Sequence, residues 1–343
     1  MNIVVIGGAG FIGCNVADYY LKNKHHVTVF DNFSRKGTLQ NLQWLQTKYK
    51  ENLSVVQGDT RLDFNKLKAT VIKADIVFHL AAQVAVTTSV VDPREDFEIN
   101  ALGTFNVLEA IRLSGNKPVV LYSSTNKVYG GMEHVKIVER NGEYDYESLP
   151  HGVSESEQLD FHSPYGCSKG TADQYMIDYS RIYGLHTVVF RQSCIYGYRQ
   201  FGVEDQGWVA HFTISAMFNR ALSIYGDGKQ VRDVLFIDDL VRAYDMATQQ
   251  IDKTCGKAYN VGGGPQKKMS LLKLIAHLEK FFGKKLSYTF ADWRPGDQRV
   301  FICDIRKAKN EFGWEPKIGV EQGVQLLAGW VKENKDEFSS IYF

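Results

Sequence analysis

The sequence predicts a doubly wound parallel α/β sheet with a smaller, interleaved mixed α/β lobe. Short, continuous apolar runs at 3–6, 27–30, 53–56, 76–80 and 119–122 alternate with helical stretches, as expected of strands buried on both faces. A glycine-rich turn, Gly7-Gly8-Ala9-Gly10-Phe11-Ile12-Gly13, joins the first run to an amphipathic stretch reaching Leu21. Beyond the strand at 186–191 the alternation gives way to shorter, mixed elements. We assign 1–190 with 231–262 to the first lobe and 191–230 with 263–343 to the second.

Bulk properties narrow the function classes. The 343-residue chain carries a formal net charge of +1, which gives no footprint for nucleic acid or a membrane surface. Met1 runs straight into a strand without a basic and then apolar leader, so no signal peptide is expected, and no apolar run approaches the length of a membrane span. Five scattered cysteines and nine histidines show no metal-ligand spacing, so neither a disulfide frame nor a metal site is expected. A cytoplasmic, reduced protein follows.

The glycine turn reads as a phosphate cradle. Gly7, Gly10 and Gly13 allow a tight turn, and the backbone at Gly7, Gly10, Phe11 and Ile12 meets a pyrophosphate at a helix N-terminus. The second strand delivers Asp31 at the offset of a ribose-binding acid. Its carboxylate accepts both ribose hydroxyls and repels a 2′-phosphate, favouring NAD over NADP. Asn32, Ser34 and Arg35 follow at the same rim, and Arg35 is the residue that would accept a phosphate there. The third strand ends at Gly58-Asp59-Thr60, where Asp59 is placed to meet the adenine amino group. The fourth ends in Leu80-Ala81-Ala82-Gln83, small enough for close approach by a cofactor. His79, inside that apolar run, reads as a core histidine. The fifth strand ends in Ser123-Ser124-Thr125-Asn126-Lys127, hydroxyls at the edge where open α/β sheets bind ligands.

Ser163-Pro164-Tyr165-Gly166-Cys167-Ser168-Lys169 begins a helix, with Pro164 in the first turn. Tyr165 and Lys169 are four residues apart and share a face. An ammonium near the phenol is expected to lower its pKa and make Tyr165 a base for a sugar or alcohol hydroxyl. Cys167 points elsewhere and receives no role.

Taken in order, the glycine loop, Asp31, Leu80-Ala81-Ala82, Asn100, the 123–130 run and Tyr165/Lys169 resemble the extended branch of the short-chain dehydrogenase/reductase family, the nucleotide-sugar epimerases and dehydratases. The resemblance implies a Rossmann-type first lobe holding NAD, with Asn100 and Ser123 at the cofactor. It implies a triad of Thr125, Tyr165 and Lys169, and a second lobe that clamps a nucleotide diphosphate sugar. Arg232, in Gln230-Val231-Arg232-Asp233, and Arg299, in Arg294-Pro295-Gly296-Asp297-Gln298-Arg299, are the diphosphate ligands by that likeness. Bidentate guanidinium geometry suits them. Asn126, Gln206, Trp208 and Tyr225 are further substrate contacts, and so is Cys194, where many family members carry asparagine. The family also implies a homodimer or homotetramer.

The reaction type turns on Asn126-Lys127. Dehydratases of the family place Asp-Glu there to remove water by acid and base, and this chain has neither carboxylate. Thr125-Asn126-Lys127-Val128-Tyr129-Gly130, Leu159-Asp160-Phe161-His162-Ser163-Pro164-Tyr165 and Asp205-Gln206-Gly207-Trp208 resemble the CDP-tyvelose (CDP-paratose) 2-epimerase subfamily. The resemblance implies inversion at C2 of a CDP-linked hexose through a transient keto-sugar with recycled NAD+. A UDP-sugar 4-epimerase is the alternative, and a non-catalytic NAD-binding sensor or scaffold the other.

Overall fold

The computed structural model describes residues 1–204, 206–294 and 297–342. Asp205 and the Pro295-Gly296 step of the second arginine segment lie outside the described residues. Seven strands form the central sheet: β1 (Asn2–Ile6), β2 (His26–Asp31), β3 (Leu53–Gln57), β4 (Ile76–His79), β5 (Val119–Thr125), β6 (His186–Gln192) and β7 (Lys257–Val261). Their order is β7-β6-β5-β4-β1-β2-β3, and every neighbouring pair is parallel. The order reverses at β1, so a crevice opens at the carboxyl ends of β1 and β4, where this class of sheet binds ligands.

Side chains alternate between two apolar layers with the two-residue strand period. Ile3 and Val5 join Val16, Tyr20 and Tyr244 on one face; Val4 and Ile6 join Leu67, Leu108 and Met176 on the other. The helices Phe11–Lys22 and Ile237–Gln249 thus cover the first face, and Phe64–Val71, Gly103–Ser114 and Ser163–Tyr183 the second.

In the second lobe, the strand Val231–Phe236 pairs antiparallel with Lys268–Ser270 and parallel with Val300–Phe301 and Cys194–Tyr196. The chain therefore returns to the first lobe at the Ile237–Gln249 helix, a few residues after 231. The Trp208–Met217 helix ends where Asn219 takes a left-handed φ of 55° and turns the chain into the next strand. The stretch 133–150 carries a hairpin, Ile137–Arg140 with Glu143–Tyr146. Asn141 and Gly142 turn it with positive φ angles of 53° and 77°, the requirement of a two-residue primed turn. Ion pairs Lys229–Glu139 (2.9 Å) and Lys268–Asp145 (2.7 Å) fasten it to the second lobe. Among the described residues no helix is long and apolar enough to cross a membrane.

Candidate active site

The register places Gly7, Asp31 and Leu80 at one level, since Ile6 lies opposite Phe30 and His79. Gly7 has φ +82°, and a Cβ there would come within 2.6 Å of the Ala81 nitrogen. A Cβ on Gly13 would collide with the Gly7 carbonyl. The glycines thus let the turn close against the end of β4. Gly10 caps the Phe11–Lys22 helix without a side-chain acceptor, leaving the first-turn N–H groups for an anion. Asp31 accepts from the Ala9 N–H (3.0 Å) and the Phe33 N–H (2.9 Å). Each of its oxygens keeps a lone pair for a ribose hydroxyl. Loop, helix end and carboxylate fit a dinucleotide.

Other expected contacts vary in how they reach this groove. Leu80, Ala81, Ala82 and Gln83 are half-buried along its floor. Ser34 donates its backbone N–H to Asn32 (3.1 Å), and Asn32 donates to Asp59 (2.9 Å). The Asp59 carboxylate also takes two bonds from Arg61, at 2.8 and 3.0 Å, which help hold it down at about pKa 2. Thr60 is buried against Gly103. Asn100 is 1 % exposed and acts as a brace: its oxygen accepts from the Gln83 N–H (2.9 Å), while its amide reaches Gln83 O, Asp96 and Ser168. It shapes the groove through Gln83. Arg35 extends from the ribose rim toward Tyr165. It reaches into the cleft, donates to Gln206 and lies 3.4 Å from the Ala82 carbonyl oxygen, with its charge facing Tyr165 and Asp31.

Thr125 ends β5 opposite Gln192 of β6, and the Ser163–Tyr183 helix brings Tyr165 to it. Ser163, held at φ 64°, accepts the Gly166 N–H at 3.2 Å and starts that helix with Pro164. The Tyr165 phenol is buried, with the Thr125 hydroxyl near enough to favour its ionised form. Burial pushes it up to about 12, while Thr125 and the Arg35 guanidinium pull the other way. Lys169 is pressed down to about 7 by burial, against the charges of Asp173 and Asp96. Its ammonium donates to the Ser123 carbonyl oxygen at 2.5 Å and sits 4.3 Å from the centre of the Tyr122 ring. This corrects the expected phenol–ammonium coupling: Lys169 is turned to Ser123 and Tyr122, and the cation acting on Tyr165 is Arg35. His79 is a core residue, bonded to Thr104 at 2.8 Å and held neutral, at about 3, by burial and Lys169.

A buried network fixes this helix against the sheet. Asp173 is fully buried, takes two bonds from Arg191 at 3.0 Å each, and accepts the Ser124 hydroxyl at 2.7 Å. Arg191 donates on to Tyr129 (3.2 Å), and Tyr129 to Asn260 (2.8 Å). The sequence reading missed this set.

The facing wall comes from the second lobe. Trp208 donates its indole N–H to the Cys194 sulfur at 3.4 Å, so Cys194 serves there as an acceptor. Arg232 donates to Asp297 at 2.8 Å and to the Val231 carbonyl at 2.9 Å. Arg299 lies between two rings, 5.3 Å from the centre of Tyr144 and 5.5 Å from that of Trp293. Tyr225 carries Arg294 over its ring at 3.8 Å and donates to Glu204 at 2.8 Å. Asn126 is half-buried, its side-chain oxygen 3.4 Å from the Thr125 hydroxyl. Lys127, which the sequence reading quoted only for the carboxylate it replaces, faces Arg232, Asp297 and Cys194 and is held down at about 8 by burial and Arg232. Its place two residues after Thr125 was the available signal. Among the described residues no group of three or more His, Cys, Asp or Glu could hold a metal ion.

Comparisons with known proteins identify the family. The profile of the family described as GDP-mannose 4,6 dehydratase matches residues 4–327. The chain is 46 % identical to CDP-paratose 2-epimerase of Salmonella typhi, over 96 % of this chain and 99 % of that protein. It superposes on the UDP-glucose 4-epimerase of Thermotoga maritima, solved with UDP-glucose, with a TM-score of 0.84 and 32 % identity, covering 98 % of this chain and 100 % of that one. The UDP-glucuronic acid 4-epimerase of Bacillus cereus, solved with UDP-glucuronic acid and NAD, gives 0.83 at 28 % identity, with 97 % and 99 % covered. The chain belongs to the GDP-mannose 4,6 dehydratase family, within the extended short-chain dehydrogenases/reductases.

Proposed function

We propose that this protein is an NAD-dependent nucleotide-sugar epimerase that inverts C2 of a CDP-linked hexose of the CDP-paratose type. The observation that carries the reading is Tyr165 buried beside the Thr125 strand end, next to a glycine–Asp31 cradle, in a chain 46 % identical to a CDP-paratose 2-epimerase. NAD+ bound in that cradle supplies a hydride acceptor and, after reduction, its donor. Tyr165 takes the proton of the sugar hydroxyl and later returns it. Thr125 follows the same oxygen, since a hydroxyl both donates and accepts. Lys169 braces the end of β5 through the Ser123 carbonyl oxygen, and Arg232 and Arg299 supply donors for the diphosphate. Asn126-Lys127 provides no carboxylate pair for dehydration.

The test incubates purified enzyme with CDP-paratose and follows the C2 proton by NMR. Inversion at C2 is expected; no change at C2 in any CDP-hexose overturns the reading. The structural likeness to UDP-glucose 4-epimerases favours one alternative, inversion at C4 of a UDP-sugar, which the same assay with UDP-glucose separates.

A homodimer belongs to the same reading. Phe105 and Tyr175 lie 5.8 Å apart on the Gly103–Ser114 and Ser163–Tyr183 helices. With Phe97, Ile182 and Tyr183 they expose apolar surface of the kind subunits cover. Light scattering should give twice the chain mass or a multiple of it, and Ile182→Asp should reduce it to one. A cytoplasmic location fits the five free cysteines.

A further inference from the structure

Lys127 lies on the turn Asn126–Tyr129 that leaves β5 directly after Thr125. Its backbone N–H donates to the Thr125 hydroxyl oxygen at 3.3 Å, which ties the turn to Thr125. The side chain crosses to the second lobe, where it faces Arg232, Asp297 and the Cys194 thiol. One Asp297 oxygen already accepts from Arg232. Nζ has a long hydrogen bond to Gln298 Oε1 at 3.4 Å, and Gln298 is itself fixed by donation to the Gly130 carbonyl oxygen at 2.5 Å. An ammonium has three N–H donors. Here Lys127 meets a guanidinium whose carboxylate partner it shares, an arrangement that a multiply charged anion suits.

Building on the C2 reading, we propose that Lys127 and Arg232 together grip the phosphate bonded to the sugar, and that Lys127 thereby selects C2 as the reacting carbon. In a nucleotide sugar that phosphate sits on C1. C2 is the neighbouring ring atom, whereas C4 lies across the ring. A phosphate anchored by a residue two positions from Thr125 draws C1 toward the reacting pair and presents the C2 hydroxyl. An anchor on Arg232 and Arg299 alone leaves C1 farther out on the second lobe. A carboxylate in place of Lys127 would repel the same phosphate.

The experiment uses NAD-loaded wild type, Lys127→Met and Lys127→Arg. It measures CDP affinity by calorimetry, CDP-paratose turnover by NMR, and NAD content. Loss of a charge-assisted bond should weaken CDP binding of the Met variant by roughly 10- to 100-fold and slow C2 inversion, with NAD content unchanged. The Arg variant should recover most of both. Wild-type CDP affinity should also fall as the pH rises through about 8, where Lys127 loses its proton, and the Met variant should lack that fall. The other groups facing Nζ are the Arg232–Asp297 pair and the Cys194 thiol, which burial raises. Unchanged CDP affinity in Lys127→Met overturns the phosphate grip. Weakened affinity with an unchanged C2 rate overturns the role in register. A wild-type enzyme that inverts C4 and never C2, while CDP affinity still depends on Lys127, overturns the C2 reading and leaves the phosphate contact standing.

Discussion

Replacing Lys169 with methionine should make the nucleotide-free protein more stable while removing its activity. The buried ammonium has fallen from the ordinary lysine value of 10.5 to about 7, which corresponds to roughly 5 kcal/mol against burying the charged form. At pH 7 about 4 kcal/mol of that penalty is present, because the folded state has given up half a proton and the unfolded state almost none. Methionine removes the penalty but leaves the Ser123 carbonyl oxygen without its 2.5 Å donor, a loss of about 1–3 kcal/mol. The gain in stability should therefore be on the order of 1–3 kcal/mol at pH 7. A base with a depressed folded pKa carries its full penalty below that pKa and none above the unfolded one. The difference between wild type and variant should thus shift by roughly 3 kcal/mol in favour of wild type as the pH rises from 7 to 10. Urea unfolding at the two pH values reads both quantities, and epimerase assays should show a loss of about 10²- to 10⁴-fold. A variant less stable than wild type at pH 7, with a difference that does not move with pH, would refute the argument that Lys169 is held in place against its own solvation.

Three further outcomes follow from the geometry. Asp173→Asn should destabilise the fold by about 3–5 kcal/mol in chemical denaturation, and adding Arg191→Met should recover much of it, since the lone buried guanidinium is the costly state. Gly13→Ala, which would drive a Cβ into the Gly7 carbonyl, should leave purified protein with no bound NAD when the nucleotide released by acid is counted. Tyr144→Ala should remove one of the two rings flanking Arg299. It should raise KM for the nucleotide sugar about fivefold, for a loss of about 1 kcal/mol, with kcat little changed.

The first 31 residues were legible because several local signals agree there. A two-face apolar strand, three spaced glycines, a helix and an acid on the next strand admit few other folds, and the structure puts them at one sheet edge. The same logic gave the Thr125 strand end and the Tyr165 helix. Their electrostatics could not be read the same way. Whether Lys169 faces the phenol or the Ser123 carbonyl, and how far each is desolvated, depends on the packing of distant segments. Asp173 and Arg191 look like ordinary polar residues of a helix and a strand, and only the fold buries them together. Asn141-Gly142 did carry a hairpin signal. What lay beyond the sequence was that this hairpin sets Tyr144 on Arg299.

These observations divide the work of the site between the lobes. On the proposed reading, the groups that define the reaction class, Thr125, Tyr165 and Lys169, stand on β5 and one helix, braced by a buried ion pair. Those it assigns to the substrate, Arg232 and Arg299 with the Tyr144 hairpin, belong to the second lobe, where ion pairs fasten the hairpin. Such pairs are individually worth little, so that wall can change without loss of the fold. Lys127 touches both sets, rooted beside Thr125 and ending among second-lobe groups. On the proposal made above, a residue so placed converts a choice of phosphate position into a choice of reacting carbon.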